Sequence, residues 1–268
     1  MKILGILNIT EDSFSDGGKY LAPGAALAQA RALMEGGADV LDLGAASSNP
    51  DAKTVAPDVE IARLAPVVAA WRKNAHTISI DSFSIEVQRW ALEQDVGYLN
   101  DIQGFPEPAL YPALAAARAK LIVMHSVQER GRATRVEIAP DQIFARVTAF
   151  FEARIAALTK AGVARDRLIL DPGMGFFLGA NPQASLTMLR RLAELKSAFG
   201  LPVLVSVSRK SFLRAMVGRP PASAGAASLA AELFAARQGA DYIRTHDPAA
   251  LKDALAVGKA LDGRVLGA

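Results

Sequence analysis

Short apolar runs alternate with longer Ala-rich stretches from one end of the chain to the other. The short runs occupy residues 3–9, 40–43, 77–81, 98–100, 120–125, 168–171, 202–207 and 242–246. They are continuously apolar rather than alternating, the pattern of strands covered on both faces of a parallel sheet. The longer stretches carry helical spacing. In 25–35 the spaced positions are Leu27, Ala30, Arg31 and Met34. In 141–161 they are Ile143, Val147, Phe150, Phe151, Ile155 and Leu158. Gly37, Gly162 and Gly239 stand where helices should end in a left-handed cap, each just before the next strand. No linker or composition shift divides the pattern. Eight strands each followed by a helix predict an α/β fold, a TIM (β/α)8 barrel forming a single domain over residues 1–268. The alternative is a doubly wound open sheet. No G-x-G-x-x-G follows the first strand, which weakens that alternative for dinucleotides.

Composition narrows the class. At 51% hydrophobic and 21% charged residues the chain is no disordered segment. Aromatics are 6%, so Ala, Val, Ile and Leu must fill the core. Lys plus Arg number 30 against 27 acids, a net charge of +3 that is too mild to argue for nucleic acid, despite a pI near 9.2. The absence of cysteine excludes disulfides, thiolate metal sites and a cysteine nucleophile. No apolar run nears the ~18 residues of a membrane span. The apolar start, Met1 to Asn8, runs into Glu11-Asp12-Ser13 and reads as a strand rather than a signal peptide, which implies a cytoplasmic location.

Barrel chemistry gathers at the C-terminal ends of strands. Here those ends carry Asn8, Asp42 with Gly44, Asp81, Asn100-Asp101, Met124-His125, Asp171-Pro172-Gly173, Ser206 with Ser208-Arg209-Lys210, and Arg244-Thr245-His246. Any one Asp could be a helix cap, and any one His a packing residue. As a set they place acids from strands two, three and six opposite bases from strands seven and eight. Buried carboxylates need donors, and a heterocycle with an N–C–N edge offers two N–H groups to one carboxylate. Arg244, His246 and Asn8 suit an anion such as phosphate groups carried with a divalent metal, Asn8 being an oxygen ligand of the kind Mg²⁺ takes. No H-x-x-x-H or Cys cluster points to zinc. The loop 10–18 is long, polar and Gly-ended, as a lid would be. The loop 45–51 is a second such segment, and Ser211 opens a short helix expected over 211–216, whose free N–H groups suit a carboxylate.

In order, Gly5-Ile6-Leu7-Asn8-Ile9-Thr10, Asp12-Ser13-Phe14-Ser15-Asp16-Gly17-Gly18, Asp42-Leu43-Gly44, Ser79-Ile80-Asp81-Ser82, Asn100-Asp101, Met124-His125, Asp171-Pro172-Gly173-x-Gly175-Phe176, Ser208-Arg209-Lys210-Ser211 and Arg244-Thr245-His246 span nearly the whole chain. This ordered set resembles the dihydropteroate synthases. The resemblance implies a TIM barrel, commonly a homodimer. It implies condensation of 6-hydroxymethyl-7,8-dihydropterin diphosphate with 4-aminobenzoate, giving 7,8-dihydropteroate and diphosphate in folate synthesis, with Mg²⁺ as cofactor. By position, Asp42, Asp81, Asn100, Met124, Asp171 and Lys210 would hold the pterin. Asn8, Ser48, Arg244 and His246 would hold the diphosphate, with Asn8 on the metal. Ser48, Pro50, Phe176, Phe177 and Ser211 would border the aminobenzoate. Catalysis would fall to Asp16, Lys210, Arg244 and His246.

Two departures stand out. The family's second loop usually reads Ser-Thr-Arg-Pro-Gly, but here it is Ser47-Ser48-Asn49-Pro50-Asp51 without the arginine. After Gly175 the family usually has Phe, a small residue and Lys. Here Phe176-Phe177-Leu178-Gly179-Ala180-Asn181 is longer by about two residues. Both resemble the sulfonamide-insensitive (Sul-type) branch, and they predict that Phe177 and the added length exclude a sulfonamide by a clash. Other readings are a pterin-binding methyltransferase domain, which would not need the Ser-Arg-Lys-Ser and Arg-x-His elements, a silent paralogue that only binds pterin, and an open-sheet nucleotide-binding protein.

Overall fold

Side chains at alternate strand positions face opposite sides of a sheet, and this alternation divides the molecule into layers. The computed structural model describes residues 1–11, 18–48, 51–128, 131 and 133–263. Among these, eight parallel strands are β1 (Lys2–Asn8), β2 (Val40–Gly44), β3 (Ile78–Asp81), β4 (Tyr98–Asp101), β5 (Lys120–Met124), β6 (Leu168–Asp171), β7 (Leu204–Val205) and β8 (Tyr242–Thr245). They lie in the order β6-β5-β4-β3-β2-β1-β8-β7. A bridge between Leu170 and Val203 and a 2.9 Å bond from Leu170 N–H to the Pro202 carbonyl bring the two ends of the sheet together. The predicted barrel is therefore what forms, and the open sheet is excluded.

Leu4, Val40, Tyr98, Ile122, Ile169, Leu204 and Tyr242, one from each of seven strands, make a separate buried cluster that fills the barrel floor. Tyr98 and Tyr242 meet edge to face at 6.3 Å. Intervening positions such as Leu7, Leu41, Leu43, Ile80, Leu99, Val123, Leu170, Val205 and Ile243 join the larger core beneath the helices. Two residues beyond each floor residue stand Ile6, Asp42, Asn100, Met124, Asp171, Ser206 and Arg244. The same strand parity thus carries the apolar floor into a polar mouth.

The helices are α1 (Pro23–Glu35), α2 (Pro57–Ala70), α3 (Ile85–Glu93), α4 (Tyr111–Ala116), α5 (Ile143–Lys160), α6 (Pro182–Arg190), α7 (Leu192–Phe199), α8 (Ser211–Val217), α9 (Gly225–Arg237) and α10 (Pro248–Leu261). The expected caps hold: Gly37, Gly162 and Gly239 have φ of 98°, 95° and 91°. One helix per strand does not hold, because β6 and β7 are each followed by two. The predicted strand 202–207 shrinks to a two-residue β7. Pro202 has no N–H for the ladder, and the Val203 N–H goes to the Asp241 carboxylate at 2.9 Å, a carboxylate also held by Lys196 at 2.8 Å.

Candidate active site

The strand ends surround a cleft of about 910 Å³, counted to its open mouth. A smaller chamber of about 320 Å³ lies against it. Ser48, Asp81, Met174, Phe177, Ser206, Lys210 and Arg244 border both. Asn8, Phe176, Ser211 and His246 line the cleft alone. Asn100, Met124 and Asp171 line only the inner chamber. The fifteen residues named from the sequence therefore converge, with three exceptions. Asp16 and Pro50 lie outside the described residues. Asp42 is fully buried and borders neither space; it lies beneath Arg244.

Arg244 ties the acidic side to the basic one. Its Nε donates to Asp42 Oδ2 at 2.5 Å and its Nη2 to Asp81 Oδ2 at 2.6 Å. The sequence placed Arg244 on an anion and the acids on a heterocycle, but here each satisfies the other. Burial works against the Arg244 charge, and Asp42, Asp81 and Asp171 outweigh it, so the guanidinium is held more firmly protonated than usual. Burial also pushes Asp81 up to about 7, with Arg244 and Lys210 pulling down and Asp42 pushing further up. Asp171 is raised to about 6 by burial, although its Oδ1 accepts a 2.8 Å bond from Gly173 N–H. Burial and then the Arg244 charge lower Lys210 to about 8, against Asp171 and Asp81. Lys210 Nζ also sits 5.1 Å from the Phe177 ring centre.

Several acceptors here have no partner: Asn100 Oδ1, Ser206 Oγ, Asp42 Oδ1 and, near the mouth, Thr10 Oγ1. Buried polar atoms are rarely left unpaired, so the inner chamber is built for donors supplied by something else.

His246 and His125 separate in role. His246 lines the cleft with Nδ1 3.0 Å from Ser208 Oγ. Burial and the Arg209, Arg244 and Lys210 charges keep its pKa well below the usual histidine value, so the ring is neutral. His125 turns away from the rim. Its buried Nδ1–H donates to the Pro172 carbonyl at 3.1 Å and its ring meets Phe150 at 5.2 Å. It is a packing residue joining the ends of β5 and β6. Asp101 is likewise structural, accepting from Gln103 and Phe105 N–H at 2.8 and 3.0 Å.

The loop after β6 fixes the aromatic wall. A Cβ on Gly173, at φ 72°, would fall 2.4 Å from the His125 carbonyl oxygen, so only glycine lets the chain turn there. The turn Gly175–Leu178 then presents Phe176 and Phe177. Phe177 is 4% exposed and packs with Ile102, Met124 and Ala133. Phe176 lies 5.9 Å from the Arg135 guanidinium, which also pairs with Asp51. Ala133 N–H donates to the Ser48 carbonyl at 3.1 Å, so the loops after β2 and β5 are stitched together over this wall.

Sequence reasoning assigned no role to Thr10, Met174, Ser206, Ser208 or Arg214, which also line the site. Ser206 was legible in principle, being two residues beyond the floor residue Leu204; Met174 carries no such signal.

Residues 4–246 match the family model described as pterin binding enzyme. The type-2 dihydropteroate synthase of Escherichia coli is 61% identical over 259 residues, 97% of this chain and 95% of that protein. The dihydropteroate synthase of Yersinia pestis, solved with a sulfonamide drug complex, superposes with a TM-score of 0.88 at 32% identity, covering 98% of this chain and 94% of that one. That of Xanthomonas albilineans in complex with 7,8-dihydropteroate superposes with a TM-score of 0.81 at 32% identity, covering 97% and 92%. With a barrel whose acids and bases face one another across a single mouth, this chain belongs to the dihydropteroate synthase family of pterin-binding enzymes.

Proposed function

We propose that the inner chamber takes the pterin of 6-hydroxymethyl-7,8-dihydropterin diphosphate, that the cleft takes its diphosphate and 4-aminobenzoate, and that the two are joined as 7,8-dihydropteroate. The observation that carries this is the pair of unpartnered acceptors on Asn100 and Ser206 at the closed end, with cations and His246 at the open end. A flat heterocycle rich in N–H groups satisfies the first and an anion the second. Asp81, Asn100, Asp171 and Lys210 hold the ring between them, and Met124 packs against it. Pterin N–H groups compete with Arg244 for the Asp81 carboxylate and release the guanidinium to the diphosphate.

The bond between the pterin methylene carbon and the diphosphate oxygen breaks, and the electron pair leaves with diphosphate. Arg244 and His246 donate to the developing oxyanion. The resulting cation is delocalised into the ring, facing Asp81 and Asp171. The neutral arylamine nitrogen then forms the C–N bond and gives its proton to water. Among the described residues no cluster of three His, Asp or Glu could hold a metal ion. The Asn8 amide and the unpartnered Thr10 hydroxyl nevertheless fit an oxygen-ligated ion that arrives with phosphate. Bound there, Mg²⁺ would neutralise charge on the leaving diphosphate.

Ser48, Phe176, Phe177 and Ser211 border the aminobenzoate. The wall formed by Phe177 leaves room for that substrate and excludes the part of a sulfonamide extending beyond it, which supports poor inhibition by these drugs. Exposed apolar Met216 and Val217 on α8 offer a contact for a homodimer. Steady-state kinetics with 4-aminobenzoate, with and without a sulfonamide, test the reaction and the resistance together. Formation of 7,8-dihydropteroate with stoichiometric diphosphate is expected. Methyl transfer to a corrinoid, or pterin binding without turnover, would replace this reading.

A further inference from the structure

Between β7 and α8 the chain makes a tight turn that carries residues of the site. The Lys210 N–H donates to the Val207 carbonyl at 3.2 Å, which puts Ser208 and Arg209 at the centre of the turn. Arg209, unlike Ser208, has a positive φ, 59°. Turns of this kind usually give that position to Gly or Asn, because a Cβ there crowds the neighbouring carbonyl. A long side chain in a left-handed conformation at a functional site has to be held by its surroundings.

The hold comes from α9. Ser228, 4% exposed, accepts the Arg209 N–H at its Oγ, 2.9 Å away. A serine hydroxyl has a single proton to give, and this one goes to the Ala224 carbonyl at 2.8 Å. What faces Arg209 is thus a lone pair, fixed in direction by the helix. On either side of Arg209 the turn serves two ends of the site. Ser208 Oγ accepts from the His246 backbone N–H at 3.3 Å and stands 3.0 Å from its Nδ1. Lys210 lines both the cleft and the inner chamber. Were Arg209 to relax to negative φ, the peptides flanking it would rotate, and Ser208 and Lys210 could not both keep these places.

We propose that Ser228, which lines neither the cleft nor the inner chamber, is a positioning residue for the reaction: through the Arg209 N–H it holds the turn that presents Lys210 to the pterin and Ser208 to His246. The inference rests on the pterin reading given above.

Ser228→Ala leaves the Arg209 N–H without its acceptor and the left-handed conformation without its hold. The kcat/KM for the dihydropterin diphosphate should fall about tenfold. Glycine takes positive φ without steric cost, so in an Arg209→Gly background the same Ser228→Ala change should cost less than about threefold. A mere loss of packing on α9 would cost the same in both backgrounds. The NMR titration of the Lys210 ε-methylene, assigned with Lys210→Met, reads the turn without turnover. Burial lowers this group to about 8; in Ser228→Ala it should climb toward its ordinary 10.5 as the side chain leaves the chamber, and in the double variant it should stay near 8. Arg209→Val keeps the Ser228 hydroxyl but resists positive φ, and it should shift Lys210 as Ser228→Ala does. Equal losses of kcat/KM in the two backgrounds, or a Lys210 that still titrates near 8 in either Ser228→Ala or Arg209→Val, overturn the proposal. If the wild type forms no dihydropteroate, the pterin reading is wrong, and the Lys210 titrations still decide the role of Ser228.

Discussion

Replacing Arg244 with Met keeps an apolar stem of similar length and removes the cation joining Asp42 to Asp81. Asp42 is fully buried, and its Oδ1 already lacks a partner. Stripping one member from a buried ion pair costs about 3–5 kcal/mol, because the remaining charge is left uncompensated. At roughly 2–4 °C per kcal/mol for a large domain, Tm should fall by about 6–20 °C at neutral pH. The deficit should also depend on pH. Asp81 already sits near 7 in the folded protein, and loss of Arg244, which pulls it down, raises it further. The folded state then binds more protons than the unfolded chain from about pH 4 up to that raised value. Stability falls as pH rises through this window, and it falls further in the variant. Calorimetric melting at about pH 5 and about pH 8 should give the smaller deficit at the acid end. A Tm within about 2 °C of wild type at the higher pH, or an equal deficit at both, would refute the view that Arg244 neutralises these acids. Turnover should drop by roughly 10²–10³, the usual cost of losing a donor to a developing oxyanion.

Deleting Phe177 together with Gly179 should strengthen sulfonamide inhibition by roughly 10–100-fold, a clash of ~1–3 kcal/mol relieved, while the KM for 4-aminobenzoate changes much less; unchanged inhibition constants would sink the steric account. Because Phe177 is buried among Met124, Ile102 and Ala133, the deletion should also cost about 3–5 kcal/mol in denaturant melts. Lys210 is lowered to about 8 in the folded protein, so the unfolded chain binds the extra proton between about pH 8 and its ordinary 10.5, and this group's contribution to stability rises with pH there. The wild-type stability curve should show that rise, and Lys210→Met should lack it while losing pterin affinity. Arg135→Ala breaks an exposed pair with Asp51 and a contact with the Phe176 ring, and should shift stability by no more than ~1 kcal/mol.

Seven of the eight strands could be placed in the sequence to within about a residue because a buried parallel strand is a continuous apolar run. The eighth could not, since Pro202 and the Asp241 carboxylate take over the edge of β7 through contacts that have no local pattern. Site residues were legible where a polar residue interrupts an apolar run, as at Asp42, Asp81, Asn100, Asp171 and Arg244. What the run does not encode is who faces whom. Asp42 and Arg244 are 202 residues apart, and their pairing follows from the closure of the barrel. The rim histidines looked equivalent as letters, yet Pro172 captures one and Ser208 the other.

The join between β6 and β7 is the thinnest part of the barrel wall, a single bridge beside a two-residue strand. Asp171 ends the strand on one side of this seam and Lys210 follows the strand on the other, and both face the inner chamber. A ring gripped by the two acts as a rivet across the gap. Occupancy of the chamber should then slow amide exchange along residues 168–171 and 203–207 more than along the well-paired β1 and β2, so the substrate completes the wall that encloses it.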